Sequence, residues 1–289
     1  MLRSSNPAMK VFEAPQRWDD LSGSGPAAKT RSGQMTMGGT LQATAIQLGC
    51  ALVGAIAMWI AFAKGAMGAG GAMPITVGII GFLIIGGFIL ARKPQAAIVM
   101  GPILSAAYGA VAGAMSYAVA MAVGAMMAKN PELVGADQTW TREALVAQGS
   151  VVILQAMLLT IGVALAMLAI RAFNLFRVGG TFAKIVMMCT MAVGFLYIAS
   201  ILLRLITGGG FAFIHSTGPI GIAFSGFVVV LASINLLMAF QSVEDGVRDG
   251  QPKFMEWYAG YAVVSTIIWL YIEILRLLYK LYVIFGSRE

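Results

Sequence analysis

Charged residues are scarce in this sequence. Only 11% of the 289 residues are Asp, Glu, Lys or Arg, where soluble domains carry roughly a quarter. Histidine is scarcer still, with a single residue at position 215. A metal hydrolase gathers several His or carboxylate ligands at one point, so one histidine argues against that class. An intramembrane serine protease needs a base on one helix reaching a serine on another. In "FIHSTGPIGIAFSG" the histidine lies in a Gly-rich loop beside Ser216 instead, away from Ser225. There are two cysteines, Cys50 and Cys189, each alone inside an apolar block. That excludes a disulfide framework or a zinc site built on spaced cysteines. The net charge of +7 is spread over the tail and loops, with no compact basic patch to suggest nucleic acid. The chain is therefore expected to have no catalytic residues, no cofactor and no metal centre.

Apolar residues, at 59% of the chain, take the place of charge. They come in blocks long enough to span a bilayer, which takes about 20 residues each. Seven spans are expected, at approximately 43–63, 74–91, 96–128, 148–170, 185–206, 218–241 and 257–283. The fold class is thus an all-α membrane protein with membrane lipids as its surroundings. Residues 1–42 are rich in Ser, Gly, Pro and charge without apolar periodicity, and read as a flexible polar tail. The membrane domain then covers 43–285. Gly101-Pro102, near the start of the long third block, is expected to kink it.

Orientation follows from Lys and Arg. The tail and the second, fourth and sixth loops hold most of the 19, among them Arg3, Lys10, Arg92, Arg171, Arg177 and Arg248. That bias places the N-terminus in the cytoplasm. Arg276, Lys280 and Arg288 run against it, a conflict that a shallow or re-entrant seventh segment would remove. Arg204, near the end of its span, is expected to snorkel to the interface. The 35 glycines, including "GAVAG" at 109–113 and "GIIGFLIIGG" at 78–87, read as close-packing positions between helices. The 19 methionines read as gap-fillers.

Against this background a few polar groups stand out. A charge at the centre of a spanning helix costs about 2.5–3.5 kcal/mol on insertion scales. "IIWLYIEILRLLYK" (267–280) nonetheless carries Glu273 and Arg276. Thr266, Glu273 and Lys280 recur every seven residues and share one face with Arg276. Lipid cannot satisfy such a stripe, so it should face the bundle interior. One reading is a packing pair of Glu273 with Arg276; the other is an ionisable group lining a solute or proton path. A second cluster, "FQSVEDGVRDGQP", sets Gln241, Glu244, Asp245 and Arg248 at helical spacings before Gly250 and Pro252 stop the helix. If the sixth and seventh helices are neighbours, Gln241, Glu244 and Glu273 could converge.

The stretch "SVEDGVRDGQPKFMEWYAGYAVVSTIIWLYIEILRLL" (242–278) resembles the C-terminal end of bacterial members of the Bax inhibitor/YccA family. "RSSNPAM" near the N-terminus is similar to the opening of the same branch; between the two the likeness is one of hydropathy. The resemblance implies a seven-transmembrane-helix bundle with the last helix central and wrapped by the other six, in the bacterial inner membrane. It implies a pH-sensitive calcium leak channel, in which a carboxylate on the sixth helix and one on the seventh share a proton or pair with an arginine to close the pore. The seventh-helix acid falls on Glu273. The sixth-helix position falls on Gln241, which cannot ionise, leaving Glu244 to substitute. On that reading Gln241→Asp would restore the pair and sharpen a pH response. A glutamate of the third helix is also missing, with Tyr108 or Gly109 near its place. The site expected from the resemblance is therefore Glu273, Gln241, Glu244 and Arg276, with calcium ions as the solute. The alternative is a non-conducting regulator that binds a membrane quality-control protease, as YccA-like relatives do.

Overall fold

A computed structural model describes residues 33–65, 69–128, 141–207, 211 and 216–286, the side chains of 69–76 and 205 excepted. His215 and most of the tail lie outside the described residues. Among the described residues, seven α-helices form where the apolar blocks lie. They are α1 (Met37–Ala63), α2 (Ala69–Arg92), α3 (Ala97–Met127, preceded by a 3-10 turn at Pro94–Ala96), α4 (Arg142–Ala172), α5 (Gly180–Thr207), α6 (Pro219–Arg248) and α7 (Met255–Gly286). Six are long and apolar enough to cross a membrane; the part of α2 with described side chains, Val77–Arg92, is apolar but shorter.

The helices overrun the apolar spans because polar caps extend them. Thr36 caps α1, its hydroxyl accepting from Gly39 N–H at 3.0 Å. Residues 37–42, assigned from composition to the tail, are therefore helical. Thr141 caps α4 in the same way, through Ala144 N–H at 3.3 Å. Gly250, at φ 66°, closes the C-terminal end of α6, the left-handed conformation that glycine adopts without strain. Pro102 sits inside α3 without ending it. The seventh segment is one unbroken helix, so it is not re-entrant.

Bare glycine backbone sets the helix spacing. A Cβ built on Gly109 would lie 1.8 Å from Ala51 O, and one on Gly113 would lie 2.3 Å from Ala55 O, so the GAVAG segment rests directly on α1. Gly124 and Gly149 do the same for α3 against α4, facing Leu145 O and Ala120 O. In the second small-residue stretch Gly86 abuts Leu104, whereas Gly78 and Gly81 face open space. Such approach lets backbone dispersion and Cα–H contacts hold helices together where lipid supplies no hydrophobic drive.

Helix α7 packs against α1, α3, α4 and α6, four of the six helices expected to wrap it, and shares the centre with α3, which packs against α1, α2, α4 and α7. Leu270, Ile274 and Leu275 of α7 join Val123, Val152, Ala156 and Leu236 in the main core. By contrast α5 packs chiefly on α6, and α2 chiefly on α3 and the 3-10 turn. Large apolar side chains such as Leu52, Ile56, Leu158, Leu165, Met188 and Phe195 stay exposed. An apolar surface of this extent needs a lipid solvent.

Candidate functional site

The candidate site is built on one face of α7. Trp269, Glu273, Arg276 and Lys280 stand at spacings of four, three and four, which a 3.6-residue turn stacks one above another. Glu273 is 1% exposed and Lys280 2%. Within the helix, the Trp269 indole N–H donates to Glu273 Oε1 at 3.2 Å and Arg276 Nη1 donates to Oε2 at 3.3 Å. From α5, the Tyr197 hydroxyl donates to Oε1 at 3.0 Å. The same hydroxyl accepts from Arg276 Nη1 at 2.6 Å, with the guanidinium 4.8 Å from the centre of the Tyr197 ring. Both carboxylate oxygens are thus engaged, and the phenol bridges acid and base. Charge-assisted bonds of this kind are the strong ones, and they offset the cost of burying the pair.

Lys280 extends the face towards the start of α6. Its ammonium donates to Gly221 O and Ser225 Oγ, both at 2.9 Å. Arg276 and Lys280 therefore belong to the interior. Only loop charges weigh in the orientation count, so these two no longer oppose it. Thr266, the remaining member of the stripe, donates to Ala262 O of its own helix. It lines, with Trp269, Tyr108 and Leu83, an apolar cleft of about 360 Å³ between α2, α3 and α7.

Gln241 and Glu244 do not join Glu273. The Gln241 amide clips the backbone of Val178, accepting from its N–H at 3.0 Å and donating to its carbonyl at 3.3 Å. Glu244 pairs with Arg171 at the end of α4, and Asp245 pairs with Arg177 at 2.9 Å and Arg248 at 3.0 Å. This cluster fastens the α4–α5 connection to the end of α6. The expected convergence fails on stagger. Lys280 meets residues 221 and 225, so in antiparallel helices Glu273, seven residues earlier, lies level with residues near 230. Gln241 is then roughly 16 Å further along α6, at 1.5 Å per residue. At the level of Glu273, α6 presents Val228 and Leu231, which pack with Trp269.

Three participants escaped the sequence reading. Tyr197 carries no charge and lies 76 residues from Glu273, so no local pattern marks it. Trp269, four residues before Glu273, was legible in principle from helical spacing. Gln47 is fully buried and ties three helices together, donating to Trp257 O at 2.8 Å and accepting from Ser105 Oγ at 3.2 Å. A polar residue inside an apolar block was its only signal.

A family model described as Bax inhibitor 1 like matches residues 18–282. The chain belongs to this Bax inhibitor family. The match takes in most of the stretch before 242, from residue 18 on, where the resemblance was one of hydropathy alone, while "RSSNPAM" lies outside it. No curated protein and no solved structure matches the chain. For this Bax inhibitor family member, the acid of the last helix sits in a bonded interior site, while the sixth-helix position assigned to Gln241 serves the α4–α5 connection.

Proposed function

We propose that this protein provides an ion leak pathway through its bundle, closed in the conformation described at Glu273. Calcium is the ion that the family resemblance suggests. The observation that supports this reading is the buried Glu273 carboxylate, held from two helices by Tyr197, Trp269 and Arg276. An ionisable group at that depth marks a solute or proton path by default. Every bond that holds it is non-covalent, and one of its anchors stands on α5, a peripheral helix. Moving α5 would withdraw Tyr197 from the carboxylate without disturbing the α1–α3–α4–α7 core. We place the protein in the bacterial inner membrane with a cytoplasmic N-terminus, acting without cofactor and without catalysis.

Calcium flux into liposomes containing only this protein, measured between pH 6 and 8, tests the proposal. The native protein should leak, and Glu273→Gln should change the leak and remove its pH response. Gln241→Asp should leave the pH response as it is, because residue 241 lies too far from Glu273 to form a carboxylate pair. A steep response that survives Glu273→Gln would place the sensor elsewhere. A second reading, a non-conducting regulator that binds a membrane quality-control protease, is favoured by the structural employment of Gln241 and Glu244. Absence of flux at every pH from folded protein would decide for it.

A further inference from the structure

The cleft beside Thr266 follows from a change of side-chain size along α7. Tyr258, Tyr261, Ser265 and Trp269 stand at spacings of three and four, so they share one face. Towards the start of the helix the aromatics of this face fill the space against α2. Tyr258 and Tyr261 pack on the core of Leu83, Leu90 and Leu104, and the Tyr261 hydroxyl lies 3.9 Å from the place of a Cβ on Gly87. One turn on, Ser265 and Thr266 are too small to reach across. Helix α2 rests chiefly on α3, and the gap to α7 stays open, with Tyr108 and Val111 on one side and Ile80 and Ile84 on the other. Ile84 is 50% exposed, and the cleft opens past it onto the surface of the bundle.

Neither water nor bare space suits this cleft. It stands level with the middle of α7, a helix of 32 residues, and so in the hydrocarbon part of a bilayer. A buried water needs about two to four polar partners, and the polar groups of the wall are already bonded. The Ser265 and Thr266 hydroxyls both donate to Ala262 O, Tyr261 bonds the Tyr108 hydroxyl, and the Trp269 indole donates to Glu273 at 3.2 Å. Left empty, the lining would forfeit its dispersion contacts on one side. The volume of about 360 Å³ lies at the lower end of the range of small-ligand sites, about 300–1,000 Å³. A flexible, apolar, unbranched occupant fits, and the surrounding lipid supplies one.

Trp269 connects the cleft to the acid. Its side chain forms part of the wall, and its N–H holds the same Glu273 oxygen that Tyr197 holds. An occupant packed on the indole limits its movement, and with it the freedom of the carboxylate. We propose that the cleft binds one acyl chain of a membrane phospholipid, and that the chain steadies Trp269 on Glu273 and so favours the closed arrangement. The effect on conduction rests on the leak reading above; binding of the chain does not.

The test reconstitutes the full chain in phosphatidylcholine brominated midway along one acyl chain, since bromine quenches indole fluorescence on contact. Each protein is measured with and without Trp269→Phe, and the difference is the signal of Trp269. That signal should be strongly quenched in the native background. Ser265→Leu, which puts a larger apolar side chain into the cleft, should reduce the quenching by at least about half, because a filled cleft leaves the lipid chain no contact with the indole. Val111→Phe fills the cleft from α3 and serves if Ser265→Leu fails to fold. In calcium flux from liposomes, Trp269→Phe should leak about tenfold faster than the native protein, the order expected for loss of one hydrogen bond to a charged group. Ser265→Leu should leak no faster than native. Trp269 unquenched in the native protein, or equally quenched in the folded filled variants, would overturn the acyl-chain site whatever the flux. Quenching that falls as expected, with no flux from any protein, would uphold the site and overturn the leak reading. Quenching that falls, with flux at the native rate from Trp269→Phe, would uphold the site and overturn its link to Glu273.

Discussion

Tyr197 shows how one hydroxyl can couple two helices. It donates a hydrogen bond to Glu273 and accepts one from Arg276, so the phenol is a contact through which α5 reaches the charged face of α7. Tyr197→Phe keeps the ring and its position over the guanidinium but leaves one bond fewer to each charged group. Loss of a bond to a buried charge costs about 1.5–3 kcal/mol. The variant should therefore unfold at lower temperature in detergent. It should also show faster hydrogen exchange in the second half of α5. Unchanged exchange there would mean that Tyr197 does not tether α5. Glu273→Gln should cost more than Tyr197→Phe, because it leaves Arg276 buried without its carboxylate.

Between helices, glycine decides which pairs can approach. The Gly109 contact with Ala51 O leaves no room for a methyl group, whereas Gly81 faces open space. Gly109→Ala must push α3 away from α1 and should cost about 1–3 kcal/mol, the usual range for overpacking. Gly81→Ala should be neutral or stabilising by up to about 1 kcal/mol, through the higher helix propensity of alanine. Thermal unfolding of the two variants in the same detergent compares them directly. Equal effects would mean that the α1–α3 approach is looser than described. The small-residue pattern thus identified both stretches as packing positions, but could not say which glycine had a neighbour.

At the scale of the molecule, the start of the membrane domain is fixed by contacts far apart in sequence. Met35 N–H donates to Gln251 O at 2.7 Å. Glu256, 4% exposed, accepts from both the N–H and the hydroxyl of Thr36 at 2.9 Å. A carboxylate at a helix N-terminus is favoured by the unpaired N–H groups and by the dipole. Deleting residues 1–32 leaves these contacts intact and should not change the unfolding temperature. Deletion through residue 42 removes the cap and the first turns of α1 and leaves Glu256 buried without Thr36. It should lower stability by at least about 1–2 kcal/mol. Identical stability of the two truncations would show that the cap contributes nothing.

The sequence by itself determined the seven helices and their places along the chain. A lipid interior obliges each apolar block to satisfy its own backbone, and the helix does so without help from other segments. It also marked Glu273, because a charge inside such a block stands out against the insertion cost, and helical periodicity placed Arg276 and Lys280 on the same face. Tertiary structure decided what that face meets. Periodicity fixes a residue's direction and its distance along its own helix, but not the neighbour or the stagger between two helices. Gln241 and Glu273 both lie on neighbouring helices, yet the antiparallel offset of α6 and α7 separates them. Tyr197 became a partner of Glu273 because α5 lies against α6 at a height no local pattern records. Lys280 read as a charge near the outer end of a span; folding buried it against Gly221 and Ser225, since an ammonium in an apolar bundle takes whatever oxygen acceptors the packing brings within reach.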